Sequence, residues 1–397
     1  MKTTKQHERT ATRCVSMTSG ESAYVPSLVM SEGTSCDRYD PWLEINTRHL
    51  RWNIAQVQNL VGDTPIMSVV KCNAYGHGTV GIARILEQQG IRQFAVVRIQ
   101  EAIALREHGI QGVILNFGPF SPLDTELIIQ HDITQSVFSD TVETLAETAK
   151  RLGKPAKVHI KVDTGLSRVG VPFQQAVAYI EKLASLPEIV IDGIFTTLSE
   201  EDDFDPIQLA RLNAVCDEAA RKGLSAGIRH AASTDAVVKR PAAYLDLVRP
   251  GNCFYGFEPH PSLDLKPVMS LKTRVILVKT VVPGDTVSYH RRLTVNKERR
   301  LAILPLGYAD GYPFQAVNKA EVLIRGRRWP VIVYMSANHA TVDITGSEDI
   351  QIGDEVVVVG TQAQETISLQ EVAAWAESSV YKVATGMSPF LPRIFLE

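Results

Sequence analysis

Lys71 is the residue whose position in the sequence most clearly suggests covalent chemistry. It ends an apolar run, PIMSVVK, and a polar, glycine-rich stretch, NAYGHG, follows it. A lysine that closes a buried strand has a partly desolvated amine, which lowers its pKa and makes it a better nucleophile. The alternative is a strand-end lysine whose amine reaches into solvent. The elements around Lys71 therefore decide what it can do.

Those elements are short apolar runs that alternate with amphipathic segments over residues 40–262. Runs such as FAVVR, GVILNFG and KVHIKVDTG are typical of buried strands, and IQEAIALREHG and FQQAVAYIEKLASLP are typical of helices. About eight such pairs predict the α/β class and a closed (β/α)8 TIM-type barrel, which builds its sites at the carboxyl ends of the strands. An open doubly wound sheet is the alternative, but its GxGxxG fingerprint is absent from the sequence.

Two further segments flank the predicted barrel. Residues 263–397 consist of short β-rich runs separated by PGD, RGR and IGD turns, which predict a mainly-β domain, a small antiparallel barrel or sandwich. A helix and a last strand are expected near its end. Residues 1–39 are rich in Ser, Thr and charge, which predicts a mobile N-terminal tail.

The composition excludes several functional classes. The net charge of −3 gives no reason to expect nucleic acid or an anionic membrane as a partner. No run approaches the roughly 18 apolar residues of a membrane span, and the N-terminus lacks a signal-like apolar region, so we expect a cytoplasmic protein. Five widely spaced cysteines without a CxxC pair argue against disulfides and a metal site.

The stretch VVKCNAYGHG resembles the cofactor-lysine signature of the alanine racemase family, which are fold-type III enzymes that use pyridoxal 5'-phosphate (PLP). It differs mainly at Cys72, where the family has a small residue such as alanine. The resemblance continues in separate segments from Trp42 to Arg393, and a barrel followed by a β domain is the family's order. It implies that Lys71 holds PLP as a Schiff base and that Tyr75 binds its phosphate.

A second segment, KVDTGLSRVG, resembles the family's second barrel motif. The resemblance implies that Arg168 orients the cofactor oxygen and the substrate carboxylate, a task that suits its planar fork of donors. Lys161 matches a position that is carbamylated in many relatives, and a carbamate there would be an anion able to hold Arg168. The alternative is an unmodified Lys161 that pairs with Asp163.

A third segment, LVRPGN, resembles the one whose arginine faces the pyridine nitrogen of PLP. Arg249 would donate to that nitrogen and keep it unprotonated, which makes the ring a weaker electron sink. Related decarboxylases carry an acidic residue in this role, so Arg249 favours racemisation over decarboxylation. The resemblance also assigns a group of residues to the phosphate. These are Ser233, Thr234, Gly251 and Asn252, the glycine and the asparagine through backbone N–H groups.

The resemblance also supplies a second base. Racemisation needs a base on each face of a planar intermediate, and Lys71 and Tyr289 would serve one face each. A free tyrosine has a pKa near 10, so Tyr289 needs a cationic or hydrogen-bonded setting. In the family this tyrosine reaches the site from the partner subunit, which implies a homodimer with shared active sites. Tyr308 would lie at the substrate entrance.

The predicted substrate pocket departs from the family's pattern. The family's Cys-Met-Asp triplet is Tyr334-Met335-Ser336 in this chain, so a bulky tyrosine and a neutral serine line the pocket. Broad-spectrum racemases also carry a neutral residue in place of the aspartate. These departures favour a larger or more polar amino acid than alanine.

Three other positions also differ from the family. Thr197 replaces the histidine that links the catalytic tyrosine to the pyridine arginine, and Pro389 aligns with a phosphate-contacting tyrosine. His290 follows Tyr289 where glycine is common. His290 could replace the lost histidine as a proton carrier, and the alternative is that it points to solvent.

These residues predict a PLP-dependent racemase or epimerase that inverts the α-carbon of a non-alanine amino acid by a two-base mechanism. The first alternative is an enzyme of the same fold with another outcome, a retro-aldol lyase, decarboxylase or transaminating enzyme. The others are alanine racemase proper and a non-catalytic PLP-binding protein. Arg249 argues against decarboxylation and transamination, and the retained motif residues argue against a decayed site.

Overall fold

A computed structural model of the protein describes residues 40–257, 260 and 262–397. The predicted mobile tail, residues 1–39, lies outside the described residues. No helix in the described part of the chain is long and apolar enough to cross a membrane.

The described chain begins with a strand and a capped helix, as the sequence predicts. Strand β1 (Trp42–Asn46) leads directly into helix α1 (Thr47–Val61). The side-chain oxygen of Asn46 accepts a hydrogen bond of 2.9 Å from the backbone N–H of His49. Because the first N–H groups of a helix lack partners inside it, this bond fixes where α1 starts.

A parallel sheet forms the core of the first domain. Its strands lie in the order of the sequence, and each pairs in parallel with the next. They are β2 (Met67–Val69), β3 (Gln93–Val96), β4 (Val113–Asn116), β5 (Thr134–Val137), β6 (Ala156–Asp163), β8 (Ile189–Phe195) and β9 (Ile228–His230), and the short β7 (Val171–Pro172) pairs with the end of β6. This sequential parallel order is the one expected for a (β/α)8 barrel.

Helices alternate with these strands. They are α2 (Lys71–Tyr75), α3 (Thr79–Gln88), α4 (Ile99–Glu107), α5 (Thr125–Gln130), α6 (Val142–Leu152), α7 (Ala176–Ala184), α8 (Asp205–Arg221) and α9 (Thr234–Lys239). In α6, for example, Val142, Leu145, Ala146 and Ala149 are buried. This spacing puts the apolar side chains on one face of the helix, which packs on the core.

The segment 246–250 closes the sheet into a barrel. On one side the backbone N–H of Met67 in β2 donates to the carbonyl of Val248 at 2.9 Å. On the other side the N–H of Arg249 donates to the carbonyl of Ala232, just after β9, at 2.8 Å. The segment thus takes the place of an eighth strand, and the predicted closed barrel is confirmed.

The second domain is built on an antiparallel sheet. Its strands are β10 (Met269–Arg274), β11 (Leu277–Val281), β14 (Arg299–Leu304), β15 (Glu321–Ile324), β16 (Arg327–Ile332), β17 (Ala340–Asp343), β18 (Glu355–Gln362), β19 (Glu365–Ile367) and β20 (Arg393–Leu396). A separate hairpin joins β12 (Thr286–Val287) to β13 (Leu293–Thr294). Helices α10 (Leu369–Trp375) and α11 (Val380–Gly386) precede the last strand, so the predicted mainly-β domain is confirmed.

Strand β1 belongs to this second sheet, although it begins the described chain. It pairs antiparallel with β10 and parallel with β20. The barrel is therefore tied to the β domain from both ends of the chain. The division after residue 262 remains a prediction.

The end of the chain also packs on the loop that follows Lys71. The buried Arg393 donates from Nε to the carbonyl of Gly76 at 3.0 Å. A Cβ atom at Gly76 would lie 2.1 Å from the carbonyl oxygen of Ala384 in α11, and the φ of Gly76 is +90°. Only glycine fits this close approach without strain. The β domain therefore helps to hold the loop next to the lysine.

Candidate active site

Lys71 follows β2 and opens a turn of left-handed helix. The φ angles of Cys72, Asn73, Ala74 and Tyr75 are 56°, 55°, 50° and 52°. Each non-glycine residue in this conformation costs roughly 1–2 kcal/mol, so the surroundings must hold the turn in place. The sequence predicted only a polar loop here. The turn brings the amine of Lys71 to 5.9 Å from the centre of the Tyr75 ring.

The buried side chain of Glu101 holds this turn. Its Oε1 accepts a hydrogen bond of 3.0 Å from the N–H of Asn73, and its Oε2 accepts bonds of 3.3 Å from Val97 and Arg98. The side-chain oxygen of Asn73 in turn accepts from the N–H of Thr79 at 3.0 Å. Glu101 thus joins the lysine turn to the start of α4. Sequence reasoning missed it, and its only signal was an acidic residue in the first turn of a helix.

A group of polar side chains converges beside Tyr75. A Cβ atom at Gly251 would lie 3.0 Å from the hydroxyl of Tyr75, and the Gly251 N–H donates to Oγ1 of Thr234 at 3.0 Å. The buried Oγ of Ser233 and Oδ1 of Asn252 have no hydrogen-bond partner among the described residues. Buried polar atoms are normally paired, so the hydroxyl of Ser233 fits a ligand rich in oxygen, such as a phosphate, whereas Oδ1 of Asn252 fits a donor. The structure brings together all the residues predicted to bind the phosphate.

Lys161 lies in a buried cluster of cations. Its amine donates to the hydroxyl of Thr197 and lies 4.5 Å from the centre of the Phe195 ring. Burial lowers the pKa of Lys161 well below its usual value, and the charges of Arg249 and Arg168 lower it further. Both effects make the amine easier to deprotonate than that of an exposed lysine.

Asp163 raises the pKa of Lys161 through its charge, but this is the smallest of the four effects on the amine. Its Oδ1 accepts hydrogen bonds from the N–H groups of Gly165 at 2.9 Å and Ser167 at 3.1 Å. It therefore shapes the loop after β6, which carries the exposed Arg168. The alternative of a Lys161–Asp163 ion pair is not favoured.

Arg249 begins a chain of buried hydrogen bonds that sequence reasoning missed. Its guanidinium lies 2.9 Å from Nδ1 of His230 and donates to the carbonyl of Thr196 at 2.8 Å. A guanidinium only donates, so Nδ1 of His230 accepts and its proton is on Nε2. That proton is shared with Nδ1 of His159, 2.8 Å away. Each histidine is therefore neutral and accepts a hydrogen bond at its Nδ1. Burial also lowers the pKa of Arg249 to about 9.

Gly193 on β8 makes this histidine pair possible. It lies between the two strands that carry the histidines and pairs with His159 in the register of β6 and β8. A Cβ atom at Gly193 would lie 2.7 Å from Cε1 of His159. The signal in the sequence was a glycine within an apolar strand, which often marks a close approach of another group.

The predicted second base lies in an aromatic cluster on the β domain. The Tyr289 ring packs edge-on against Tyr334 at 5.6 Å, Tyr334 against Phe314 at 5.1 Å, and Phe314 against Tyr308 at 6.3 Å. Tyr289 is 61% exposed and Tyr308 51% exposed, which is high for tyrosine side chains. His290 is exposed as well, with a φ of +59°.

The other predicted pocket residues adjoin this cluster. The carbonyl of Ser336 accepts from the N–H of Tyr308 at 3.3 Å, and its Oγ accepts from the N–H of His339 at 3.0 Å. Met335 is buried, so the structure does not expose this predicted pocket residue to a substrate. The predicted residues thus form two groups, one around Lys71 on the barrel and one around Tyr289 on the β domain.

Models of two protein domains match almost the whole described chain. The alanine racemase N-terminal domain matches residues 45–259, and the alanine racemase C-terminal domain matches residues 268–395. The chain belongs to the alanine racemase family. It is 36% identical to alanine racemase of Halothermothrix orenii over 362 residues, which are 89% of this chain and 96% of that protein.

Solved structures agree with this assignment. Alanine racemase of Clostridium difficile 630 superposes with a TM-score of 0.85 at 32% identity, covering 90% of this chain and 96% of that one. A histidine racemase of Leuconostoc mesenteroides reaches 0.83 at 23% identity, covering 91% and 100%, which shows the shared fold. The predicted family is confirmed, and with it a PLP-dependent isomerase.

The contacts of Glu101 generate a first prediction. Glu101→Gln replaces two acceptor oxygens with one and puts an NH2 group against a backbone N–H. Loss of a charge-assisted bond should lower the free energy of unfolding by about 1.5–3 kcal/mol and weaken PLP binding. Urea unfolding and PLP titration measure both effects. Glu107→Gln, at the exposed end of the same helix, is the control. Unchanged stability and PLP affinity in Glu101→Gln would contradict the assigned role.

The histidine pair generates a prediction about pH. Burial, and then the charge of Arg249, lower the pKa of His159 in the folded state to about 3. The unfolded chain has a pKa near 6.5 and binds the proton first, so stability falls as the pH drops from about 6.5 towards 3. The expected slope is about 1.4 kcal/mol per pH unit for this histidine. Urea unfolding between about pH 7 and pH 5 should therefore give a shallower loss in His159→Gln, and parallel curves would refute the assignment.

Proposed function

We propose that the protein is a racemase or epimerase that inverts the α-carbon of an amino acid other than alanine, with PLP held on Lys71. The observation that carries this proposal is the meeting of the lysine turn, the phosphate cradle and the buried Arg249 at one end of the barrel. Bound PLP supplies an aldehyde and a conjugated ring that accepts the electron pair of a broken C–H bond.

On the barrel, Lys71 binds the cofactor and moves the α-proton on one face. The phosphate would be held by hydroxyl, amide and backbone donors. These are Tyr75, Ser233, Thr234, Gly251 and Asn252. Tyr75 suits this role because burial, more than any other effect, raises the pKa of its hydroxyl. The hydroxyl therefore keeps its proton and remains a hydrogen-bond donor.

Arg249 acts at the pyridine nitrogen. Its hydrogen bonds to His230 and to the carbonyls of Thr196 and Ala231 hold the guanidinium in one orientation. A guanidinium donates a hydrogen bond without giving up its proton, so Arg249 would leave the pyridine nitrogen unprotonated. The bound cofactor would then be a weaker electron sink, which favours return of the proton to the α-carbon.

Arg168 orients the substrate carboxylate, and we propose that Lys161 is carbamylated to support it. A neutral amine is the form that adds CO2, and the lowered pKa of Lys161 favours that form. Addition of CO2 with loss of one proton would leave a carbamate anion on Lys161 close to the buried Arg249, where electrostatic attraction is strong, and the charge of Arg168 also acts on this position.

Tyr289 moves the α-proton on the other face, and it comes from the partner subunit of a homodimer. The exposure of Tyr289 and Tyr308 supports this arrangement, because exposed aromatic clusters mark interaction surfaces. Arg292, with its guanidinium 5.4 Å from the centre of the Tyr334 ring, adds a cation beside the same cluster. A cytoplasmic location remains a prediction.

The pocket residues support a substrate larger or more polar than alanine. The Tyr334 ring packs against Tyr289, and the carbonyl of the neutral Ser336 accepts a hydrogen bond from the N–H of Tyr308. The hydroxyl of Thr197 accepts a hydrogen bond from the amine of Lys161. Alanine is the second candidate substrate, because the two relatives reported above at more than 30% identity are alanine racemases.

The reaction can be tested with a panel of L-amino acids in D2O. The PLP-loaded protein should give D-amino acid carrying α-deuterium, with kcat/KM for some larger or polar amino acid above that for alanine. Chiral chromatography and mass spectrometry follow both signals. Deuteration with retained configuration, or formation of an aldehyde or CO2, would refute racemisation. Alanine as the best substrate would refute only the proposed specificity.

Substitution of Ser336 tests the specificity directly. Ser336→Asp introduces a carboxylate beside the substrate entrance, which should shift the kcat/KM ratio towards alanine by about tenfold, within the range of one pocket contact. Ser185→Asp, an exposed site on the barrel, is the control and should leave the ratio unchanged. An unchanged ratio in Ser336→Asp would show that this position does not select the substrate.

Mixing two inactive variants tests the shared site. Lys71→Ala and Tyr289→Phe should each lose most activity as homodimers. After subunit exchange about half of the dimers are mixed, and each mixed dimer has one complete site, so about a quarter of the activity should return. If both residues acted within one subunit, no mixed dimer would contain a complete site and activity would stay low.

A further inference from the structure

A second tyrosine, Tyr381 in α11 of the β domain, reaches the phosphate cradle. Its hydroxyl accepts a hydrogen bond from Nδ2 of Asn252. Its ring packs edge-on against Phe257 at 5.7 Å, and the Tyr75 ring lies 6.2 Å from the same Phe257. The charge of an ionised Tyr381 also contributes, after burial and Cys72, to the raised pKa of Tyr75. The two phenols are therefore neighbours at the cradle.

The bond between Tyr381 and Asn252 leaves one end of the amide for another group. Oδ1 of Asn252 is buried and has no hydrogen-bond partner among residues 40–257, 260 and 262–397. A phosphate dianion only accepts hydrogen bonds, so an amide that faces it must present Nδ2. The other end, Oδ1, would then accept the hydroxyl proton of Tyr381. A tyrosine can serve either end because its hydroxyl both donates and accepts.

We propose that Tyr381 is a positioning residue for the cofactor phosphate and that it acts through the side chain of Asn252. When PLP is bound, the Asn252 amide donates from Nδ2 to the phosphate, and the Tyr381 hydroxyl holds Oδ1. This inference rests on the proposed phosphate cradle. It adds a contact from the β domain to a cradle otherwise built on the barrel.

The phosphate dependence of binding tests this proposal. Equilibrium dialysis of the full chain with PLP and with pyridoxal, which lacks the phosphate, gives two affinities for each variant. Tyr381→Phe should weaken PLP binding about tenfold, the upper end of the loss expected for one hydrogen bond between neutral groups, and change pyridoxal binding less than about twofold. Tyr179→Phe is the matched control, since that hydroxyl donates to the Ser139 carbonyl on the barrel.

Equal losses for PLP and pyridoxal in Tyr381→Phe would show a general structural role and overturn the proposal, as would unchanged PLP binding. A wild-type protein that binds PLP no more tightly than pyridoxal would instead refute the cradle itself. Those two failures are thus distinguishable.

A double-mutant cycle tests whether Tyr381 acts through Asn252. Once Asn252→Ala is present, adding Tyr381→Phe should weaken PLP binding by less than about twofold further, because the shared contact is already gone. Additive losses would mean that Tyr381 acts independently of Asn252, which would overturn the proposed route. The PLP-to-pyridoxal ratio corrects for any general loss of stability in either variant.

Discussion

The left-handed turn at residues 72–75 is the constraint on which the candidate site depends. It begins three residues after the end of the buried strand β2, which places Lys71 at the mouth of the barrel, and the turn brings Tyr75 back beside it. Such a turn is unfavourable for residues with side chains, and it persists only where other groups hold it. Glu101 holds it from α4, and Arg393 and Ala384 pack against its end from the β domain.

The second constraint on the candidate site is the group of buried basic side chains at the mouth of the barrel. Lys161 and Arg249 are buried close to one another, and the two histidines nearest to Arg249 are held neutral. Burying unpaired charge is costly, so this arrangement favours anionic groups, which the phosphate, the substrate carboxylate and a carbamate on Lys161 would supply.

Much of the fold could be predicted from the sequence because the barrel strands and helices have distinct periodicities. The buried strand before Lys71 and the motif residues of the phosphate cradle were likewise visible in the sequence. Other features depend on contacts between distant segments, which a periodic pattern does not encode. The pairing of β1 with β10 and β20 is one, and the His159–His230 contact across Gly193 is another. The backbone of residues 72–75 was missed because their side chains favour other conformations.

Chemical labelling of the cofactor lysine tests the central claim most directly. The PLP-loaded protein is reduced with borohydride, digested and mapped by mass spectrometry, which fixes the pyridoxyl group to the lysine that carried it. The label should lie on the peptide that contains Lys71 and should be absent in Lys71→Ala. A label on Lys161 or on another lysine of the folded protein, or no stable label at all, would contradict it.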